Sequence, residues 1–400
     1  MSLFSPKSEL GVVFHIGSSS VGAGLVRLKR GEIPHVVFAL REPLPYRDEL
    51  DAQRFLADMV EAVKRTNLRL AKEGLAHLKF TEFGSLSVKR VFCAFASPWS
   101  VTQTKIATIE KKEGFVFTKE MAERVLREQE KIFEREMAEG SPGLANALDT
   151  IEERVVQIKL NGYEIAEPYG KRAEKAEISI FMSFVPKAVV EKVSEAAYMA
   201  YHPKSVQSFS LPLAAFSTVR SAFKGEKDFI FLDIGGELSE ISVVKDGLML
   251  ETASFPFGRH FVVRKVSKAL GASPEEAASL IRLAEENQAT PDVLERLAPI
   301  MAEARKEWMD AFHYVLQGVS TRTSVPTKLF AVIYNDFVPF FMKALKDEKV
   351  AEFGVIDVPL SVTLLNHDKL KPVVAFGKHS DKDPFLALLS AFAGKLYSSE

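Results

Sequence analysis

The sequence is poor in cysteine, in long apolar runs and in net charge. Cys93 is the only cysteine among 400 residues, so disulfide scaffolds and cysteine-based metal sites within the chain are excluded. No stretch reaches the roughly eighteen uncharged apolar residues that span a bilayer, and the segment from Met1 to Leu10 lacks the apolar core of a signal peptide. A formal net charge of −1 gives no broad basic field for nucleic acid. These absences favour a cytoplasmic protein that meets the membrane, at its inner face, only peripherally or through a partner.

The sequence does contain ample material for a folded core. Hydrophobic residues make up 47% of the chain and charged residues 26%, which is ordinary for a soluble globular protein. A length of 400 residues predicts about two to three domains.

The most informative stretch runs from Phe229 to Gly247. An apolar run ends at Asp233, Gly235-Gly236 follows as a tight turn, and a second apolar run ends at Asp246-Gly247, a strong two-residue hairpin signal. Glycines let the backbone turn sharply and bring bare N–H groups close to a phosphate. Asp233 at the strand end could hold a cation or a water beside that phosphate. The alternative interpretation is a plain turn between two core strands.

The same design occurs at the N-terminus of the chain. A strand from Gly11 to Ile16 leads into the turn Gly17-Ser18-Ser19-Ser20, and a second strand follows to Leu28. Two such hairpins, far apart in the chain, suggest two related domains that face each other across a cleft.

On these two hairpins the chain resembles the actin-like ATPase superfamily. The resemblance implies an α/β protein with the two-domain actin-like (ribonuclease H-like) fold, in which one hairpin from each half holds the phosphates of ATP, with Mg²⁺ as the companion ion. It also implies Asp233 as the magnesium ligand. The residues that would bind the nucleotide are Gly17, Ser18, Ser19, Ser20, Asp233, Gly235 and Gly236.

A compact strand–helix–strand–strand module follows the first hairpin and its helix. It contains the alternating strand 101–109, a helix that Thr118 caps and that runs to about Glu139, and strands over 153–160 and 177–185. Such a small α+β subdomain inserted in the first domain is similar to those of FtsA, a bacterial cell-division protein, and PilM, of type IV pilus assembly. The spacing of Asn161-Gly162-Tyr163 and of the segment 168–171 is most similar to FtsA.

The resemblance also sets the expected domain boundaries. These are 1–96 for the first part of domain 1, 97–187 for the inserted subdomain, 188–225 for the second part of domain 1 with a connecting helix, 226–380 for domain 2 with a reduced helical insertion, and 381–400 for a final connecting helix that returns to domain 1.

The second half favours PilM in one respect. Ser273-Pro274, with Glu276 behind, is a capping-box helix start, and helices are predicted to about Asn287 and over 291–316. The strands that FtsA carries here, associated with docking the tubulin-like ring protein FtsZ, have no counterpart. The segment from Asp383 to Tyr397 is predicted to be a core helix rather than a membrane-surface helix, because it lacks a basic face.

Several positions depart from the nucleotide-binding pattern. His15 stands where the first hairpin of the superfamily has aspartate, Glu237 replaces a third glycine, and Tyr334 to Asp336 replace three glycines that approach the adenosine. We interpret His15 as a packed histidine rather than a metal ligand or a base. Because side chains at the glycine positions obstruct a close backbone approach, these departures indicate weak or lost ATP binding.

Two classes of function therefore remain open. The first is an FtsA-like scaffold at the cytoplasmic face of the membrane in cell division, with a PilM-like role in pilus assembly as its alternative; both imply protein partners and allow self-association. The second is a working ATPase of the same fold or a sugar-kinase-like enzyme. The replaced glycines favour the scaffold over the enzyme.

Overall fold

The computed structural model describes residues 8–47, 51–78, 87–140, 147–346, 359–378 and 380–399. The strands are β1 (Glu9–Ile16), β2 (Ser20–Leu28), β3 (His35–Pro43), β4 (Val88–Phe95), β5 (Val101–Val116), β6 (Leu148–Leu160), β7 (Tyr163–Glu164), β8 (Arg172–Pro186), β9 (Ser205–Ser210), β10 (Phe229–Ile234), β11 (Ser239–Lys245), β12 (Leu248–Phe255), β13 (Lys328–Ile333), β14 (Ser361–Leu364) and β15 (Ala375–Phe376). The helices are α1 (Ala52–Arg69), α2 (Lys119–Gly140), α3 (Lys187–Tyr201), α4 (Leu211–Ala222), α5 (Arg259–Leu270), α6 (Pro274–Glu285), α7 (Pro291–Ser320), α8 (Val338–Lys346), α9 (His367–Leu370) and α10 (Pro384–Ser399).

Two of the sheets repeat one strand order. The first runs β3-β2-β1-β4-β9, with β15 added beside β3, and the second runs β12-β11-β10-β13-β14. In both sheets the first three strands are antiparallel, and the last two run parallel to the central strand. His15-Ile16-Gly17 at the end of β1 therefore stands in the place of Asp233-Ile234-Gly235 at the end of β10. The two glycine turns leave equivalent ends of equivalent strands.

The predicted hairpin turn at Asp246-Gly247 joins β11 to β12. Both residues have positive φ, 52° and 76°, as a type I′ turn requires, and this is the conformation that aspartate followed by glycine adopts most readily. The prediction is confirmed.

The inserted module forms a third sheet, in the order β5-β8-β6-β7, with α2 on one face. Phe133 of α2 stacks on Phe184 of β8 with ring centroids 3.6 Å apart. The first strand runs to Val116, further than predicted, because the pairing continues past a register shift after Glu110. This sheet also contacts the second one, since Thr104 Oγ1 donates to the carbonyl of Met249 at 2.6 Å.

Helices cover the outer faces of the two repeated sheets, and two further helices lie where the sheets meet. The outer faces are covered by α1 and α3 on the first sheet and by α5, α7 and α8 on the second. Between the sheets lie α4 and α10, whose apolar side chains join Phe229 and Phe330 of the second sheet in one core cluster. Residues 384–393 of α10 are all buried. The predicted core role of the final helix is confirmed.

The region between β12 and β13 is helical in every described element. Ser273 and Glu276 form the predicted capping box at the start of α6, and α7 is four residues longer at its C-terminus than predicted, ending at Ser320. None of the helices within the described ranges has the length and apolar character needed to cross a membrane. The predicted domain boundaries remain predictions.

Candidate ligand cleft between the two sheets

The turn after β1 is buried and tightly held. Gly17 N–H donates to the carbonyl of Ser20 at 3.1 Å, and Trp99 Nε1 donates to the carbonyl of Gly17 at 2.9 Å. Ser18, Ser19 and Ser20 are each at most 2% exposed. Their hydroxyl groups therefore face protein rather than solvent.

The two glycine turns touch each other. The backbone N–H groups of Gly236 and Glu237 donate to Ser18 Oγ at 3.1 and 2.9 Å. These two N–H groups are the kind of backbone donors that bind a phosphate oxygen in anion-binding turns. Here the Ser18 hydroxyl takes the position of that oxygen, so the second turn is satisfied by the first.

Gly236 makes this contact possible. A Cβ atom at residue 236 would lie 2.2 Å from Ser19 Cβ, a separation that forces the two turns apart. We expect Gly236→Ala to lower the free energy of unfolding by about 2 kcal/mol through overpacking, as measured by urea denaturation. The matched control is Gly318→Ala in α7, where an added Cβ meets nothing within 4 Å and should leave stability unchanged or slightly raised. Equal effects of the two substitutions would contradict the direct contact.

The start of α5 is also satisfied from within the cleft. Arg259 N–H donates to the carbonyl of Gly235 at 3.0 Å, and His260 N–H donates to that of Gly236 at 2.9 Å. The first N–H groups of a helix are otherwise free to bind an anion. At this helix they bind the second glycine turn.

Glu237, the residue in place of a third glycine, fastens that turn to α5. Its carboxylate accepts from Arg264 Nη2 at 2.7 Å and lies 2.7 Å from His260 Nδ1. Burial raises the pKa of Glu237, but the hydrogen bonds from His260 and Arg264 outweigh burial and leave that pKa below its usual value. The carboxylate of Glu237 thus ties the second glycine turn to α5.

Tyr334 fills the cleft from the second sheet. Its side chain is 5% exposed, and Ser20 Oγ donates to its hydroxyl at 3.2 Å. Its ring lies 4.7 Å from the ring of Phe385 and 4.4 Å from the guanidinium of Arg259. Tyr334, which stands where the superfamily pattern has the first of three glycines, therefore contacts the turn after β1.

Arg41 of β3 packs against Tyr334. Its guanidinium pairs with Asp383 at 2.7 Å, donates to Ser20 Oγ at 2.9 Å, and lies 5.1 Å from the ring of Tyr334. His15 Nδ1 is 3.1 Å from Arg41 Nη1. One cation thus joins the first sheet, the start of α10 and the tyrosine from the second sheet.

Burial shifts the pKa of the side chain at each of the two equivalent strand-end positions. Burial, and then the charge of Arg41, hold the pKa of His15 well below its usual value, so the imidazole is neutral and accepts from Arg41. Burial, and then the charge of Glu240, raise the pKa of Asp233 well above its usual value. The first position thus carries an imidazole, and the second carries a buried carboxyl group whose pKa is raised.

Glu240 is the partner of Asp233 across the β10–β11 pair. Ser97 Oγ donates to Glu240 Oε1 at 2.8 Å, whereas Glu240 Oε2 and Asp233 Oδ1 have no hydrogen-bond partner. Burial raises the pKa of Glu240 to about 7. This buried carboxyl pair was not predicted from the sequence.

The residues in this arrangement do not fit magnesium and ATP. The N–H groups of Gly236 and Glu237 that would bind phosphate already have Ser18 as their acceptor, and the side chain of Tyr334 reaches Ser20 in the first turn. Magnesium prefers oxygen ligands, whereas the strand-end position equivalent to Asp233 carries the nitrogen ligand His15. Within the described ranges, no group of three or more histidine, cysteine, aspartate or glutamate side chains could hold a metal ion.

The structure brings the predicted cleft residues together at the meeting of the two turns. Their role in binding nucleotide remains a prediction. His15 is packed against Phe385, with ring centroids 4.5 Å apart, in agreement with its predicted packed role. Sequence reasoning missed Arg41 and the pair that Glu237 forms with α5; the spacing of His260 and Arg264 on one helix face could have indicated the latter.

Comparisons with known proteins give one informative similarity. No family model matches the chain, and no curated protein matches it. A chain from a PilM–PilN type IV pilus biogenesis complex is 13% identical, with a TM-score of 0.58 and 98% of each chain covered. The ethanolamine utilization protein EutJ from Carboxydothermus hydrogenoformans is 12% identical, with a TM-score of 0.43 and with 98% of this chain and 91% of that one covered. Only the first similarity is strong enough to support the fold.

Proposed function

We propose that this chain, which has the two-domain actin-like fold predicted from its sequence, is a non-hydrolysing scaffold whose cleft is closed by its own side chains. The supporting observation is the Ser18 hydroxyl, which accepts both N–H groups of the second glycine turn. Hydrolysis needs a positioned water and dense electrostatic support around the phosphate. This cleft instead contains a tyrosine, a histidine whose pKa is lowered by burial, and an aspartate whose pKa is raised by burial.

Calorimetric titration of the full chain with ATP and magnesium tests the closed cleft. We expect no heat of binding up to millimolar nucleotide, because binding would have to break the Ser18 and Tyr334 contacts first. The control is Asp233→Ala, which should behave as the parent does. Micromolar binding that disappears in Asp233→Ala would overturn the proposal and favour a working nucleotide site.

A pilus-assembly role is our preferred setting for this scaffold, at the inner face of the cell membrane. It is supported by the fold shared with a chain of the PilM–PilN complex and by the helical region between β12 and β13, where described residues supply none of the strands that FtsA carries. Cell division is the alternative. Titration of this chain with the PilN-like protein and, separately, with FtsZ from the same organism separates the two roles. Binding of FtsZ alone would favour division.

A further inference from the structure

Glu152 of β6 is a buried residue, 7% exposed, at the joint between the third sheet and the start of α4. Its Oε2 atom accepts from the hydroxyl groups of Ser183 on β8 and Ser210 at 2.7 and 2.6 Å, and from Ser210 N–H at 3.1 Å. Ser210 is the N-cap residue of α4. One carboxyl oxygen of Glu152 therefore ties two strands of the third sheet to the helix that leads to β10.

The other carboxyl oxygen of Glu152 makes no such contacts. Oε1 is buried without a hydrogen-bond partner, although buried polar atoms are nearly always paired. A hollow of about 410 Å³ lies beside the joint, and Glu152, Ser208 of β9 and Phe392 of α10 are among the residues that line it. A small separation of β6 from β9 would let water from this hollow reach Oε1.

The charged residues around the joint do not balance an ionised Glu152. Arg154, which is exposed, is the charged group that acts on it most strongly, whereas Glu153 lies near charged residues of α2. Asp149 is half-buried nearer the start of β6, the charged residues of β8 lie within 172–177, and β9 has none. The charged residues of α3, α4 and α10 are all exposed, namely Lys187, Glu191, Lys192, Glu195, Arg220 and Lys395. Within the described ranges, no buried cation faces this carboxyl group.

Glu152 binds a proton more tightly in the closed joint than in water. Burial raises the pKa of Glu152 to about 7, because the hydrogen bonds from Ser183 and Ser210 and the charge of Arg154 offset burial only in part. Once water reaches the carboxyl group, its pKa returns towards the ordinary 4.5. Protonation therefore favours the closed joint, and ionisation favours the open one.

We propose that Glu152 is a pH-sensitive latch, which holds the third sheet against the start of α4 when it is protonated and lets the two separate when it is ionised. In the closed joint, ionisation leaves Oε1 charged and without a donor. The neighbouring hollow allows water to hydrate that oxygen as soon as the joint opens. The latch acts between the third sheet and the rest of the chain, and it does not depend on the contacts in the cleft.

The pH window of the latch follows from the two pKa values. The stabilisation of the closed joint is complete below about pH 4.5 and is lost as the pH rises through 7, above which both states are ionised. The equilibrium constant for opening should therefore rise about fiftyfold between pH 5 and pH 7.5 and change little at higher pH.

Hydrogen–deuterium exchange of the full chain, followed by mass spectrometry across this pH range, tests the proposal. The reporter is the Ser210 N–H group, which donates to Glu152, with rates corrected for the pH dependence of unprotected amides. The parent should show the fiftyfold rise, and Glu152→Gln should show none, because glutamine still accepts from the serines but cannot ionise. The matched control is Glu174→Gln, at an exposed position on β8, which should behave as the parent does.

Three results would overturn the proposal. They are a parent protein whose opening does not change with pH, a Glu152→Gln variant with the slope of the parent, and exchange at Ser210 that is as slow as that of β10. The last result would mean that the N–H group exchanges only when the whole chain unfolds.

Ser183→Ala gives a second test that does not depend on how well Glu152→Gln folds. It removes one hydrogen bond that lowers the pKa of Glu152 and adds no polar group to a site that is 0% exposed. The pKa of Glu152 in the closed joint should rise, so opening should continue to increase at a pH where the parent has levelled off. A plateau at the same pH as in the parent would contradict the latch.

Discussion

Arg41→Ala is expected to lower the free energy of unfolding by about 3 kcal/mol, because removing one member of a largely buried ion pair leaves the other without compensation. The Arg41 side chain is 19% exposed and that of Asp383 is 13% exposed. The substitution also removes a donor from Ser20 and a cation from the face of Tyr334. Urea denaturation at neutral pH measures the loss.

A second arginine–aspartate pair in the same chain is the matched control. Arg47 contacts Asp58 at 2.8 Å, but its side chain is 38% exposed, and exposed pairs contribute about 1 kcal/mol or less. Arg47→Ala should therefore have a small effect. If the two alanine variants lost equal stability, Arg41 would not be the central contact of the cleft.

A double variant distinguishes the cost of leaving the Asp383 carboxylate unpaired from the cost of losing the packing of Arg41. Asp383 also caps α10, since its Oδ1 accepts from Leu386 N–H at 3.0 Å, so serine is the replacement that keeps a cap. Arg41→Met with Asp383→Ser should be more stable than Arg41→Met alone, because it removes the uncompensated carboxylate. If Arg41→Met alone were the more stable of the two variants, lost packing would account for most of the destabilisation.

Glu240→Gln is expected to stabilise the protein at pH 8 by about 3 kcal/mol and to have little effect at pH 5. Burial raises the pKa of Glu240 from its ordinary 4.5 to about 7, so the folded state holds a proton that the unfolded chain has released. The stability present near pH 4.5 is lost as the pH rises through 7, at about 1.4 kcal/mol per unit for this group. Glutamine removes that loss and can still accept from Ser97.

The difference between variant and parent must be followed across pH, because other groups titrate as well. The low pKa of His15 acts in the opposite direction, since the unfolded chain binds the proton below about pH 6.5. Glu128→Gln is the matched surface substitution, as Glu128 of α2 is 61% exposed. A Glu240→Gln variant that is less stable than the parent at pH 8 would contradict the raised pKa of Glu240.

Local patterns in the sequence predicted most of the fold. Alternation marked the strands, Asp246-Gly247 marked a hairpin, and Ser273 with Glu276 marked a helix start, because each of these signals acts between residues that are close in the chain. The extra length of β5 was missed since its charged segment after Glu110 breaks the alternation without ending the pairing.

The interior of the cleft depends on contacts between distant residues. Ser18 meets Gly236 across 218 positions, and Ser20 meets Tyr334 across 314. No spacing rule links such residues, so the sequence could identify both turns but not the direct contact between them. The replaced glycines did predict weak or lost nucleotide binding, because a side chain at a close-approach position has a predictable steric effect.

The hydrogen bonds from Gly236 and Glu237 to Ser18 also bear on timing. In an actin fold that hydrolyses its nucleotide, the bound phosphate records how long a subunit has been assembled, and old subunits can be told from new ones. The contact between the two glycine turns consists of the chain's own atoms and keeps no such record. If the cleft binds no nucleotide, as proposed, and this protein assembles with copies of itself or with a partner, every subunit is equivalent at every age. Turnover must then be set by the supply of subunits and partners.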